Sequence, residues 1–494
     1  MRRSTLGFAF LWSVGIAAST GSSEACSQLA SSFTSQDVLF PNSSHYDAER
    51  KNFWDQRSAA FPACIVFPNS ANQVAEAIEI LHSTKAEFAI RGGGHMNFPG
   101  SNNIDGGVLL ALNKLNSIQV HTNSYQSIPS VSVDAGSKWN EVYDALSPYG
   151  LYTIGGRLKT IGVPGLTLIG GLHYFTNKYG WTADNVLEYH VVLGNGTQVV
   201  ANRTTHADLY WALKGGANNF GIVTRFVFQA YKIPTLSTTT MKFDNASIDK
   251  FIETISQYTI HNDGALGSGP VTTMSCNTTT KEINVEFIGV QEGGESPPSR
   301  FSAFTAIPPT EIFNNVTTPK DWHNKFDTPN GLSRILFGHH TIHAEAVDRL
   351  KEIIHAWVDA TSEIEDIEGL ASGFVLNTFP ASAARPAQVN GVGNIFGVEE
   401  QPMILWQLTT AWKNQVDDLQ VTSWARRFLD YQHTINQEKG LSTDLIYAGD
   451  AAEWQNPFSV LPSHNLQRLK TVRAVYDPDL VFTRQNWGGF KLGS

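Results

Sequence analysis

Val74, Ala77, Ile78 and Leu81 recur at the spacing of one helix face, and Ser70 with Gln73 forms a capping box (S-x-x-Q) that starts the helix. A short strand over 88–90 then runs straight into "RGGGH". An apolar run over 108–112 predicts a second strand, and the alternation in "SVSVDAG" a third. Trp139, Val142, Tyr143 and Leu146 share one face of a predicted helix. "VVLGNGTQVV" reads as a hairpin with Asn195-Gly196 as a type I′ turn. "DLYWALKGGANNFG" reads as a helix ended by glycines, and "IVTRFVFQAYKIP" as a strand closed by Pro234.

From about Leu236 the texture changes. Glycine thins out, Thr and Asn rise, and strand-like runs such as "INVEFIGV" and "MILWQLTTAW" alternate with amphipathic helices such as "AVDRLKEIIHAWVDA" and "VTSWARRFLDY". The pattern divides the chain into a leader (1–25), a glycine-rich first domain (26–234), a mixed second domain (235–446) and a C-terminal return (447–494).

Composition narrows the function classes. The chain has 494 residues and a formal net charge of −10, which argues against nucleic acid or anionic membrane surfaces as partners. Arg2 and Arg3 precede an apolar run from Leu6 to about Ala18, and small residues end at Ala25. That is the layout of a secretory signal peptide cleaved after Ala25, too short to span a bilayer. Sequons at Asn42, Asn195, Asn202, Asn245, Asn277 and Asn315 agree with secretion and predict N-glycans. Three cysteines are too few for a thiolate zinc site or an iron–sulfur cluster. Cys26 and Cys64 are expected to form a disulfide in an oxidising compartment, leaving Cys276 unpaired.

The loop at Gly92-Gly93-Gly94-His95 is not a Rossmann fingerprint, because Asn97 stands where the third glycine belongs and Pro99-Gly100 interrupts the helix that should follow. With no G-K-[ST], it is not a P-loop either. It is a tight turn or a concave nest of backbone N–H groups after a strand. A second cluster (Gly155, Gly156, Gly162, Gly165, Gly170, Gly171, Gly180) and a third in "KGGANNFGIV" favour an extended ligand held by main chain, best a dinucleotide.

"RGGGHMNFPGSNN", "GVPGLTLIGG…YGWTADNV", "LYWALKGGANNFGIVT" and "YDPDLVF…GGFKL" resemble the FAD-linked oxidases of the vanillyl-alcohol-oxidase type, with a PCMH-type FAD-binding domain. More narrowly they resemble the berberine-bridge-enzyme-like branch in its secreted fungal form, over nearly the whole mature chain. The resemblance implies an α+β fold: a discontinuous FAD-binding domain, and a substrate domain whose antiparallel sheet is backed by helices. It implies that His95 bonds covalently to the flavin 8α-methyl carbon through a ring nitrogen, a role a neutral imidazole can fill. It also implies that Arg91, Gly92, Gly93, Gly94, Met96, Asn97, Gly100 and Ser101 surround the pyrophosphate. Gly162, Val163, Gly165, Gly170, Gly171, Asp184, Val186, Gly221 and Ile222 would line the rest of the cofactor.

Two departures from the family pattern bear on chemistry. Thr182 stands where many relatives carry a second, cysteinyl flavin bond, so the attachment is expected to be single; the more enclosed ring weighs against a bulky oligosaccharide. Near the C-terminus, Tyr447-Ala448-Gly449-Asp450 replaces the family's Y-x-N-Y, removing the usual tyrosine base. Asp450 becomes a candidate base if burial lifts its pKa, or else a solvated loop residue; Tyr447 is the fallback. Val163 occupies the family's oxygen-access position, and its small side chain favours oxygen as acceptor. His173 either faces the flavin or is structural. His339 and His343 would share a helix face, but no third ligand makes a metal site. Trp406, Trp412 and Trp424 read as core or pocket lining. The expected activity is a secreted FAD oxidase acting on a small secondary-metabolite intermediate and yielding hydrogen peroxide. A carbohydrate oxidase and a catalytically silent flavin-binding protein are the alternatives.

Overall fold

A computed structural model describes residues 20–125, 128–328 and 333–493. The apolar run of the expected leader lies outside the described residues, and the expected cleavage point after Ala25 falls inside the helix Thr20–Ser32. That helix packs on the helix Ala71–Thr84, and Cys26 is disulfide-bonded to Cys64, with Cα atoms 5.9 Å apart. The Ser70 hydroxyl accepts from the Gln73 N–H, while Val74, Ala77, Ile78 and Leu81 are fully buried. Burial of each larger member is worth ~1.5–3 kcal/mol.

The fold is α+β, built on a four-stranded, a five-stranded and a seven-stranded sheet, with a two-stranded pair of Leu151–Tyr152 and Tyr231–Lys232. Strands Cys64–Val66, Val108–Ala111 and Phe88–Arg91 are parallel, with Val38–Leu39 antiparallel at the edge. A five-stranded antiparallel sheet runs in the order Ile118–Tyr125, Ile128–Asp134, Ile222–Gln229, Val186–Val192, Gln198–Asn202. The hairpin at 193–197 differs from the expected two-residue type I′ turn. Such a turn needs positive φ at both central residues, and of Asn195 and Gly196 only Gly196 has it, at +80°. The loop closes instead through Leu193 N–H to Thr197 O and Gly196 N–H to Leu193 O.

The large sheet has seven antiparallel strands between residues 236 and 412; its central strand Ser268–Cys276 pairs with Ala371–Phe379, which pairs in turn with Met403–Trp412. Alternation on Met403–Trp412 divides two cores. Met403 and Leu405 join the core of the first domain, whereas Ile404, Trp406 and Leu408 pack under the helices Ile248–His261, Val347–Ala360 and Asp418–Glu438. Gln407 shares the parity of Met403 and Leu405. The "GHHTIHAEA" segment is not helical: Arg334–His343 is a strand, and buried His339 is bonded through Nδ1 to the Trp406 carbonyl at 3.0 Å. Residues after Tyr447 return to the first domain, where Trp487 packs over Gly100 and Phe490 over Phe98.

Candidate active site

Between the glycine loops and the large sheet lies a cavity of about 330 Å³, a size typical of small-molecule sites. The strand Phe88–Arg91 delivers Gly92, Gly93, Gly94, His95 and Met96 to its wall, followed by Ser101. Gly162 and Gly165 line it at the start of the helix Val163–Leu168, with Gly221 and Ile222 where the strand Ile222–Gln229 begins. The need for glycine is steric. A Cβ on Gly93 would sit 2.3 Å from the Gly162 nitrogen, so these two backbones touch without side chains between them. At Gly165 an added Cβ would meet nothing within 4 Å, so the backbone there faces open space.

Half-buried His95 lies on this wall. Its Nε2 has no hydrogen-bond partner, and burial pushes its pKa down to about 4, so the imidazole is neutral at physiological pH. Asn102 Oδ1, Asn218 Oδ1 and Gln407 Nε2, all on residues lining the cavity, are likewise buried without partners. Orphaned polar atoms of this kind are rare. With the bare glycine backbone, they fit a polar ligand held by main chain and amide side chains, which is what FAD requires.

The opposite wall comes from the large sheet and the C-terminal return: Phe337, Gln407, Tyr447, Gly449 and Asp450. Asp450 is buried, and its Oδ2 accepts from Asn377 Nδ2 at 3.2 Å. Asn377 Oδ1 in turn accepts from the Arg157 guanidinium at 2.8 Å. Burial pushes the Asp450 carboxyl up to about 6, and the Arg157 charge and the Asn377 hydrogen bond hold it from going further. It is not a solvated loop residue. Burial pushes the Tyr447 phenol well above its ordinary value; its oxygen accepts from the Leu172 N–H at 3.3 Å, and its ring stacks on Trp181 at 5.5 Å.

Several expected site residues lie elsewhere. The Arg91 side chain is buried in an ion pair with Glu49 and lies over the Phe53 ring. Asn97 and Gly100 sit behind the loop, Gly100 against Trp487. The Val163 side chain packs in the core, leaving Pro164 and Gly165 on the cavity wall. Gly170 and Gly171 have φ of +100° and +86° and pack against Phe396 and Thr182. Asp184 accepts from the Trp181 N–H and from Asn394, and the Val186 carbonyl accepts from Lys214 Nζ at 3.4 Å.

His173 is also outside the cavity. Its Nε2 lies 2.7 Å from the Tyr152 hydroxyl and its Nδ1 accepts from the Phe175 N–H, so both ring nitrogens are satisfied structurally. Thr182 is fully buried away from the cavity and does not mark a second attachment point. None of the three cysteines lines the cavity: two form the disulfide, and Cys276 ends a strand of the large sheet. Trp406, Trp412 and Trp424 are core residues. Sequence reasoning missed Arg157, Asn377 and Gln407. A polar Gln407 inside the apolar run "MILWQLTTAW" was the one available signal.

The fold and this cavity define a flavin-dependent redox enzyme, and comparison with known proteins agrees. The FAD binding domain family matches residues 62–202. An FAD-dependent monooxygenase of Penicillium roqueforti is 32% identical over 485 residues, covering 95% of this chain and 93% of that protein. Among solved structures, BBE-like 1 of Physcomitrella patens has a TM-score of 0.75 at 20% identity, covering 93% of this chain and 97% of that one. Glucooligosaccharide oxidase of Acremonium strictum, described with a 6-S-cysteinyl, 8α-N1-histidyl FAD, has a TM-score of 0.73 at 19% identity, covering 95% and 98%. The chain belongs to the same family of FAD-dependent oxidoreductases as the Penicillium roqueforti protein, and its fold is that of the berberine-bridge-enzyme-like flavoenzymes.

Proposed function

We propose that the protein is a secreted oxidase that holds FAD through one covalent bond to a ring nitrogen of His95 and oxidises a small organic substrate with dioxygen as acceptor. The observation that carries this reading is the pairing of a neutral His95, its Nε2 buried, with a buried Asp450 of pKa about 6 in one cavity. When bound, FAD supplies the acceptor for a hydride from the substrate carbon and passes the electrons to oxygen.

The residues around it do the rest. Gly92–Gly94 and Gly162 allow main chain to approach the cofactor, and Asn102 and Asn218 offer it unpaired amide oxygens. Phe337, Leu158, Ile169 and Leu172 give the site an apolar wall that excludes water, and Gln407 offers an unpaired N–H to a substrate oxygen. Asp450, ionised above pH ~6, takes the proton from a substrate hydroxyl as the hydride leaves, and Asn377 holds its carboxylate in place. An apolar site without exposed tryptophan platforms fits a secondary-metabolite intermediate better than a sugar. Fungal relatives such as the Alternaria solani protein named bifunctional solanapyrone synthase, 28% identical over 437 residues, support that class. Secretion rests on the N-terminal apolar run and on six sequons whose asparagines are all exposed or half-buried.

A second reading follows from the relatives named monooxygenases: an oxygen atom enters the product. Assays of peroxide and product mass across aromatic alcohols, sugars and culture extract separate the readings. Peroxide equal to substrate consumed, with sugars inert, supports the proposal. Product gaining an oxygen atom without peroxide supports the monooxygenase, sugar turnover supports a carbohydrate oxidase, and silence on every extract supports a flavin-binding protein.

A further inference from the structure

We propose that Trp54 is the positioning residue for covalent flavin attachment at His95, an inference that rests on the reading of His95 as the anchor. Among the described residues, no side chain is hydrogen-bonded to the His95 ring, and its Nε2 has no partner at all. A histidine ring turns about a broad, shallow torsion, so one that no side chain holds by a hydrogen bond is oriented largely by packing. Trp54 supplies that packing. Its indole is stacked on the imidazole, with centroids 4.9 Å apart and planes 25° apart, and its Nε1–H donates to the His95 backbone carbonyl at 2.7 Å. One side chain therefore holds both the ring and the backbone of the anchor.

Trp54 is itself held from the far side of the cavity. Its ring packs against Phe337, with centroids 5.6 Å apart, on the strand Arg334–His343. The next residue, Asp55, is buried and accepts from the Ile335 N–H of the same strand at 3.1 Å and from the Arg57 N–H at 2.9 Å. The large sheet thus sets the position of Trp54, and Trp54 sets that of His95.

The choice of an indole has a chemical consequence. A carboxylate partner would orient the ring but stabilise the imidazolium, which has no lone pair for attack. A stacked indole orients it and leaves it neutral. In attachment, a C–H bond of the flavin 8α-methyl and the imidazole N–H bond break as a carbon–nitrogen bond forms. The ring system gains two electrons and two protons, and dioxygen removes both, giving hydrogen peroxide. Such a step is sensitive to the angle and distance of approach.

The test measures total flavin per native protein, and the fraction retained after acid precipitation, in wild type, H95A, W54L and W54F. Wild type is expected to retain nearly all its flavin and H95A none. W54L, binding flavin natively, is expected to retain at least fivefold less than wild type. W54F, which keeps a stacked ring and loses the indole N–H, should fall between. A W54L fraction equal to wild type overturns the proposal. Should W54L bind no flavin at all, W54F decides: a reduced fraction supports the proposal and an undiminished one overturns it. A wild type that retains no flavin removes the His95 reading, and with it this inference.

Discussion

The two walls of the cavity are made in opposite ways. On the first domain's side part of the wall is bare backbone: Gly92–Gly94, Gly162, Gly165 and Gly221, with Gly93 and Gly162 in direct main-chain contact. On the side of the large sheet and the C-terminal return, it is side chains held by side chains, Asp450 by Asn377 and Asn377 by Arg157, beside Phe337 and Gln407. That backbone has few ways to vary at Gly93 and Gly162, where a Cβ would land on the facing main chain. A side-chain wall can change residue by residue while its strands stay put. On the proposed reading, the backbone-lined side serves the cofactor, and the other side sets substrate choice and proton transfer.

The largest expected effect lies on the side-chain wall. Asp450→Asn should lower kcat by ~10²–10⁴, the usual worth of a positioned base, while acid-stable flavin stays at the wild-type level. A change of less than about threefold would move the base elsewhere, to Tyr447 first. On the backbone wall, Gly93→Val should cost about 1–3 kcal/mol of stability, read from thermal unfolding, and reduce flavin content, because the new side chain lands on the Gly162 backbone.

Two subtler changes sharpen the contrast. Activity should rise with pH through about 6 as the Asp450 carboxylate forms. Arg157→Leu should move that limb to higher pH, because it removes a charge that holds the carboxyl down. The sign for stability is opposite. A carboxyl raised from 3.8 to about 6 contributes stability below pH ~4 that is lost as pH rises through 6, so Asp450→Asn should flatten that part of the stability profile. The smallest effect is expected at Gly165→Ala. Its Cβ meets no atom within 4 Å, so stability should stay within ~0.5 kcal/mol while flavin content falls, since the methyl projects into the cofactor's space. Unchanged flavin content would show that Gly165 does not face the cofactor.

The same difference decides how much could be read from sequence. Glycine's role is written in its identity, so the backbone wall and His95 were legible as a motif, and the helix 71–84 as a periodicity. Arg157, Asn377 and Gln407 belong to no motif. Each acts through a partner far away in the chain, as when Arg157 meets Asn377 across 220 residues, and a single polar residue in a strand leaves no period. Reading roles by position within a motif also failed locally. Val163, Asp184, Val186 and His173 lie within the glycine-rich span, yet the structure turns them into the core or into local caps. The "GHHTIHAEA" segment was misjudged because histidines at i and i+4 share a face in a strand as well as in a helix.

The account depends most on His95. The direct measurement is the visible spectrum of acid-precipitated, washed protein, with the intact mass, for wild type beside His95→Ala. A yellow wild-type pellet with the added mass of one FAD, and a colourless mutant pellet at the apoprotein mass, is the predicted result. A colourless wild-type pellet, or a mutant that stays yellow, would contradict it.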